Sequence, residues 1–91
     1  MGYNKRVPTI IRVEKYSVVI YTNDHPPPHV HVRFGKCSVR VAISEGTVTV
    51  GPTDGKPKAQ EVRRAVEIVA DHLEECLKKW SQLFDERKGK S

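Results

Sequence analysis

The feature that most constrains the fold is an unbroken alternation of polar and apolar residues on both sides of Gly35-Lys36. Residues 29–34 read His-Val-His-Val-Arg-Phe, and residues 37–43 read Cys-Ser-Val-Arg-Val-Ala-Ile. A period of two is typical of strands with one buried face, and glycine in the first of two turn positions favours a two-residue hairpin turn. The segment therefore predicts a β-hairpin whose register is fixed by its turn.

That register assigns each side chain of the hairpin to one of two faces. The apolar pairs, centred on Val32 opposite Val39, lie on one face, and the polar pairs lie on the other. A slip of one residue would bury His31 and Arg33, so the hydrophobic pattern supports the register. The polar pairs are His29 with Ala42, His31 with Arg40, and Arg33 with Ser38.

Further β-rich runs precede and follow this hairpin. Residues 9–13 and 16–22 are separated by Glu14-Lys15, which predicts a second two-residue hairpin, and residues 47–50 predict a short last strand. Residues 51–58 contain two prolines and two glycines, so we expect a loop there. If the strands form a meander, three side chains of the first hairpin lie uncovered beside the histidines: Ile10, Val19 and Tyr21.

A change of period near residue 59 indicates a helix. Apolar residues then recur four and three residues apart, which predicts one long helix with a single apolar stripe. We therefore predict an α+β fold: a small antiparallel meander of four to five strands, with one long C-terminal helix packed on one face. We expect residues 1–91 to form a single domain, with an ordered core at about 7–84 and a frayed tail at 86–91. The stripe comprises Val62, Val66, Val69, Leu73, Cys76, Trp80 and Leu83.

The segment from Asp24 to His31 contains most of the residues of the chain that are candidates for metal binding or catalysis. Three consecutive prolines lack N–H donors, so they predict a stiff loop that enters a strand at His29. His29 and His31 stand two residues apart on that strand and point the same way, within reach of Asp24 or His25. Imidazole and carboxylate groups bind zinc and similar ions, so all four residues are candidate metal ligands. Histidine also exchanges protons near neutral pH, so His25, His29 and His31 are candidate catalytic residues.

The arginines favour a different chemistry on the same face. Arg40 lies directly across from His31, and a fixed cation at that distance disfavours a bound metal ion. All of the net charge of +5 belongs to residues 1–58, which favours a phosphate, nucleic-acid or acidic protein partner. On this interpretation the ligand is bound by Asp24, His25, His29, His31, Arg33 and Arg40, and Tyr21 offers a stacking surface.

Several properties of the chain are predicted only in outline. The residues do not decide whether it is an enzyme, and they predict no cofactor unless the histidines bind a divalent metal. The N-terminus lacks a continuous apolar run, so we expect neither a signal peptide nor a membrane span, and a cytoplasmic location. Homodimerisation through the uncovered face is a further alternative.

Residues 23–32, Asn-Asp-His-Pro-Pro-Pro-His-Val-His-Val, resemble the signature of the small bacterial proteins grouped as domain of unknown function 4160. That pattern reads roughly N-D-H-x-P-P-H-x-H-V. Pro8-Thr9-Ile10 resembles the start of the family, and Trp80 matches a tryptophan near the end of its C-terminal helix. The likeness covers about residues 7–84, while residues 1–7 and the loop at 51–58 depart from the pattern.

The resemblance implies a small bacterial protein of uncharacterised function, of a kind often suggested to belong to two-gene toxin–antitoxin modules. Together with the pattern of residues, it leads us to predict a component that binds a protein partner or nucleic acid through its basic, histidine-bearing sheet face. A small hydrolase or metal-binding protein is the alternative. The family adds no established catalytic residue, so Asp24, His25, His29 and His31 are carried over only as signature positions.

Overall fold

The computed structural model describes residues 9–21 and 24–89, which form five strands followed by two helices. The strands lie side by side in chain order, each antiparallel to the next. The predicted α+β class and the antiparallel meander are confirmed. The elements are β1 Thr9–Val13, β2 Tyr16–Val19, β3 His29–Phe34, β4 Cys37–Ser44, β5 Thr47–Asp54, α1 Ala59–Asp71 and α2 Leu73–Gly89.

The central hairpin, β3–β4, has the predicted register. His31 pairs with Arg40, and Arg33 pairs with Ser38. Gly35 has a φ of 57°, the left-handed conformation that the first position of a tight hairpin turn requires and that glycine adopts without a steric penalty. The alternation on the two sides of this turn therefore fixes which side chains face the helices and which face away from them.

Both helices cover one face of the sheet and enclose the core with it. The valines of β3 and β4 on that face are fully buried, as is Ile20 after β2. Ala65, Ile68 and Val69 of α1 meet them, together with Cys76 and Trp80 of α2. We call the opposite side of the sheet the open face, which carries His31, Arg33 and Arg40.

Two residues predicted to lie uncovered on the open face are buried or turned away from it. Val19 is only 3% exposed, because β2 is an inner strand and Val19 lies between Thr9 and His31 of its two neighbours. The register of β1 shifts between Thr9 and Ile11, and Ile10 packs against the core. The prediction that Ile10 and Val19 are uncovered was therefore wrong.

The single long helix that the stripe predicts is divided at His72. The His72 imidazole Nδ1 lies 3.0 Å from the carbonyl oxygen of Ile68, which also accepts the backbone N–H of His72 at 3.2 Å. A side chain bonded to the carbonyl four residues earlier competes with the helical ladder and bends the helix. The helix resumes at once, since the Cys76 N–H donates to the His72 carbonyl, so the apolar stripe keeps facing the sheet.

β5 is longer than predicted and includes Gly51 and Pro52, which the sequence placed in a loop. Proline is tolerated here because β5 is an edge strand, where a missing N–H need not break a ladder. The register shifts between Val39 and Val41, as at a β-bulge, which accommodates the extra residue.

The described residues also bear on the ends of the chain. α2 continues to Gly89, so residues 86–89 of the predicted tail are helical. Pro8 and residues 22–23, 90 and 91 lie outside the described part. Within residues 9–21 and 24–89, no helix combines the length and apolar character needed to span a membrane.

Candidate metal centre

Asp24 lies in the connection between β2 and β3, and backbone hydrogen bonds turn its carboxylate towards the sheet. The Asp24 N–H donates to the Tyr21 carbonyl at 3.0 Å, and the Tyr21 N–H donates to Asp24 Oδ2 at 3.0 Å. The Asp24 side chain is only 12% exposed. A short loop therefore holds a largely buried carboxylate in one orientation.

His29 is the most buried member of the site, and the loop fixes its ring. Its Nδ1 lies 2.9 Å from the Pro27 carbonyl oxygen, which can only accept, so Nδ1 carries the hydrogen. A neutral ring then presents the lone pair of Nε2 to its surroundings. That Nε2 faces the Asp24 carboxylate.

The His29 ring also packs against Trp80 of α2, with the ring centroids 5.3 Å apart. His29 is 4% exposed. The register correctly places His29 opposite Ala42, but the prediction that it lies on an uncovered face was wrong. The reason is that α2 extends its tryptophan to this end of the sheet.

Three ligand atoms converge at this end of β3. His29 Nε2 lies 3.4 Å from Asp24 Oδ1, and His31 Nε2 lies 3.3 Å from each carboxylate oxygen. One atom from each of Asp24, His29 and His31 lies within 4.8 Å of the others. The His31–Asp24 contact at 3.3 Å is a hydrogen bond, but all three separations are longer than the length of about 2.7–2.9 Å of a charge-assisted hydrogen bond.

Burial favours the neutral form of His31. Burial lowers its pKa below the usual value of 6.5, and this effect exceeds the opposing attraction of Asp24. Its ring also meets the rings of Tyr21, with centroids 4.6 Å apart, and of His29, at 5.1 Å. A neutral imidazole keeps the lone pair that a metal ion requires.

The position of Asp24 weakens the argument that Arg40 disfavours a metal ion beside His31. Among the charges that act on the pKa of His31, Asp24 has the largest effect, ahead of His29 and then Arg40. A cation beside His31 therefore experiences a stronger attraction from Asp24 than repulsion from Arg40. The cross-strand position of Arg40 could be predicted from the sequence, but the position of the Asp24 carboxylate could not.

The remaining predicted residues surround this group without joining it. His25 is exposed and lies outside the cluster, although the sequence made it as strong a candidate metal ligand as Asp24. Arg33 and Arg40 are exposed on the open face, and Tyr21 is half-buried at its margin. Sequence reasoning missed Trp80 as the cover of His29, because its position in the stripe signals only a core residue.

Residues 16–81 match the family described as Domain of unknown function (DUF4160). The chain belongs to this family. The match spans the site, α1 and α2 as far as Ser81, so the resemblance to this family is confirmed over these residues. No curated protein and no solved structure matches the DUF4160 chain. Because the family description states no activity, its function has to be inferred from the geometry of the site.

Proposed function

We propose that this DUF4160 protein binds a zinc ion through Asp24, His29 and His31. The observation that supports the proposal is the spacing of the ligand atoms, 3.3 and 3.4 Å from the carboxylate to the two imidazoles. Four ligands about 2.0–2.1 Å from a tetrahedral zinc ion lie about 3.3–3.4 Å from one another. The three ligand atoms all lie within 4.8 Å of one another, so zinc binding also requires the two imidazole rings to move closer together.

The donor atoms favour zinc over other common divalent ions. Calcium and magnesium prefer oxygen ligands, whereas two imidazoles with one carboxylate suit zinc or iron(II). We take zinc as the ion to be tested, with iron(II) as the comparison in the same titration.

The neighbours of the three residues support this proposal. Residues that bind metal are commonly held by hydrogen bonds from a second group, which fixes the tautomer and the orientation of each ligand. The Pro27 carbonyl provides this for His29, and the Tyr21 N–H provides it for Asp24. In the neutral form of His29 the Nε2 lone pair faces a carboxylate, and a cation between them would remove that repulsion.

With only three protein ligands, a bound zinc ion would keep one coordination position free, as hydrolytic chemistry requires. Zinc with three protein ligands keeps a fourth position for water, whose pKa it lowers to about 7. The His31 side chain is 20% exposed, so the site is accessible from the open face. We infer a small metal-binding protein equipped for hydrolysis, in which Trp80 and the proline loop exclude solvent from the remaining sides.

Titration with zinc followed by NMR tests this proposal. We expect saturation at one equivalent at micromolar zinc, with the imidazole signals of His29 and His31 shifting together and those of His25 and His72 unchanged. A chelator should reverse the shifts, and the unfolding midpoint should rise with zinc concentration because the ion binds only the folded chain. Unchanged spectra at micromolar zinc would exclude the site.

The matched control is His25→Gln, which removes an exposed histidine of the same motif. It should titrate as the unaltered protein does. Loss of zinc binding in this variant would assign the ion to the loop instead of the cluster. The toxin–antitoxin role, the protein partner, the homodimer, the bacterial source and the cytoplasmic location stay predictions, since the family description names none of them.

A further inference from the structure

Three exposed arginines lie on the open face of the sheet. Arg12 of β1 pairs with Ser17 of β2, which pairs with Arg33 of β3. Arg33 in turn pairs with Ser38 of β4. These registers place guanidinium and hydroxyl groups alternately along one cross-strand row, and Arg40 lies in the adjacent row beside His31.

Within the part of the chain that the structure describes, this row and Arg40 beside it carry three positive charges and one negative charge. None of the side chains that β1 to β4 present on the open face is acidic, and the row ends at exposed Asp54 of β5, which pairs with Ser38. Arg12, Arg33 and Arg40 have no ion pair among the described residues. By contrast, Lys15 pairs with Glu61 at 2.8 Å, and Arg64 pairs with both Glu14 and Glu67 at 3.0 Å.

The row borders a shallow groove whose lining includes Arg12, Ser17 and Arg33, together with Thr9, Lys15 and Val19. Arginine binds phosphate through two parallel N–H bonds, and serine and threonine hydroxyls also contact phosphate oxygens. Arg12 and Arg33 are two strands apart, about 9–10 Å, and Arg33 and Arg40 are diagonal neighbours about 7–8 Å apart. The cations are therefore spread over the face, as an extended polyanion requires, and not gathered around one point.

We propose that the open face binds the phosphate backbone of single-stranded nucleic acid. The rings of Tyr21 and His31, in contact at one end of the face, select single strands because only an unpaired base can stack on a protein ring. The interleaved hydroxyls favour a phosphate chain over an acidic protein surface. This binding requires no metal ion, and His31 is the one residue that it shares with the proposed zinc site.

Fluorescence anisotropy with labelled twelve-nucleotide single strands, in the presence of a chelator, tests the proposal. Three phosphate contacts give a slope of about −2 for log affinity against log salt. Arg33→Gln/Arg40→Gln should weaken binding at least about tenfold at low salt and reduce the slope to about −0.7. A duplex of the same length should bind more weakly than the single strand.

The matched control is Arg63→Gln/Lys78→Gln, which removes the same charge from exposed positions on the helices. It should change the affinity less than twofold. Three outcomes would overturn the proposal: absence of binding at low salt, equal losses in the two double variants, or binding of an acidic peptide as tight as that of the oligonucleotide. The last outcome would assign the face to a protein partner.

Discussion

Replacing any one of Asp24, His29 or His31 is expected to weaken zinc binding by at least about 100-fold. Loss of a group that only orients a ligand typically costs 10- to 100-fold in metal affinity, and loss of a ligand costs at least as much. The variants are Asp24→Asn, His29→Gln and His31→Gln, measured by competition with a chromophoric chelator. The three should be similar, because each leaves two of the three protein ligands.

His25→Gln and His72→Gln provide the controls, since both remove a histidine that lies outside the cluster. Their affinities should stay within twofold of the original. Asp24→Asn keeps an oxygen to accept the Tyr21 N–H, so circular dichroism should show a folded chain. A variant that is folded and binds zinc normally would show that its residue is not a ligand.

Trp80→Ala is expected to lower the free energy of unfolding by about 3–5 kcal/mol, the usual cost of removing a buried tryptophan. Trp80 is 6% exposed and belongs to the core cluster, and its ring also covers His29. Small proteins are stable by about 5–15 kcal/mol, so this one change removes a large part of the total. Urea denaturation of the metal-free protein measures it.

The milder variant Trp80→Phe should lose less stability, because it retains an aromatic ring against the core and against His29. The difference in unfolding free energy between the two variants measures how much stability depends on an aromatic ring at this position. A loss of less than about 1 kcal/mol in Trp80→Ala would contradict the central place of this residue in the core.

The strand order and the register of β3–β4 could be predicted because they depend on regular patterns. Alternation around Gly35 leaves one register that buries the valines and exposes Arg33. The break at His72 could not be predicted in this way, because it depends on one imidazole bonding the carbonyl of Ile68. The extension of β5 through Pro52 likewise depends on its position at the sheet edge, which composition does not reveal.

The site was predictable in part for a similar reason. The spacing of His29 and His31 on a strand is enough to bring both rings to one place. The choice of Asp24 over His25 depends on the Tyr21 backbone, and the tautomer of His29 depends on the Pro27 carbonyl. Both determinants are backbone groups, which a pattern of side chains does not reveal. They could therefore be identified only in the folded chain.

The central claim is that Asp24, His29 and His31 are ligands of one zinc ion. Diffraction from crystals grown with one equivalent of zinc, collected at the zinc absorption edge, tests it most directly. We expect one strong anomalous peak about 2.0–2.2 Å from His29 Nε2, a His31 ring nitrogen and an Asp24 carboxylate oxygen. A peak at His25 or His72, or no peak at the cluster in crystals that contain zinc, would contradict the claim.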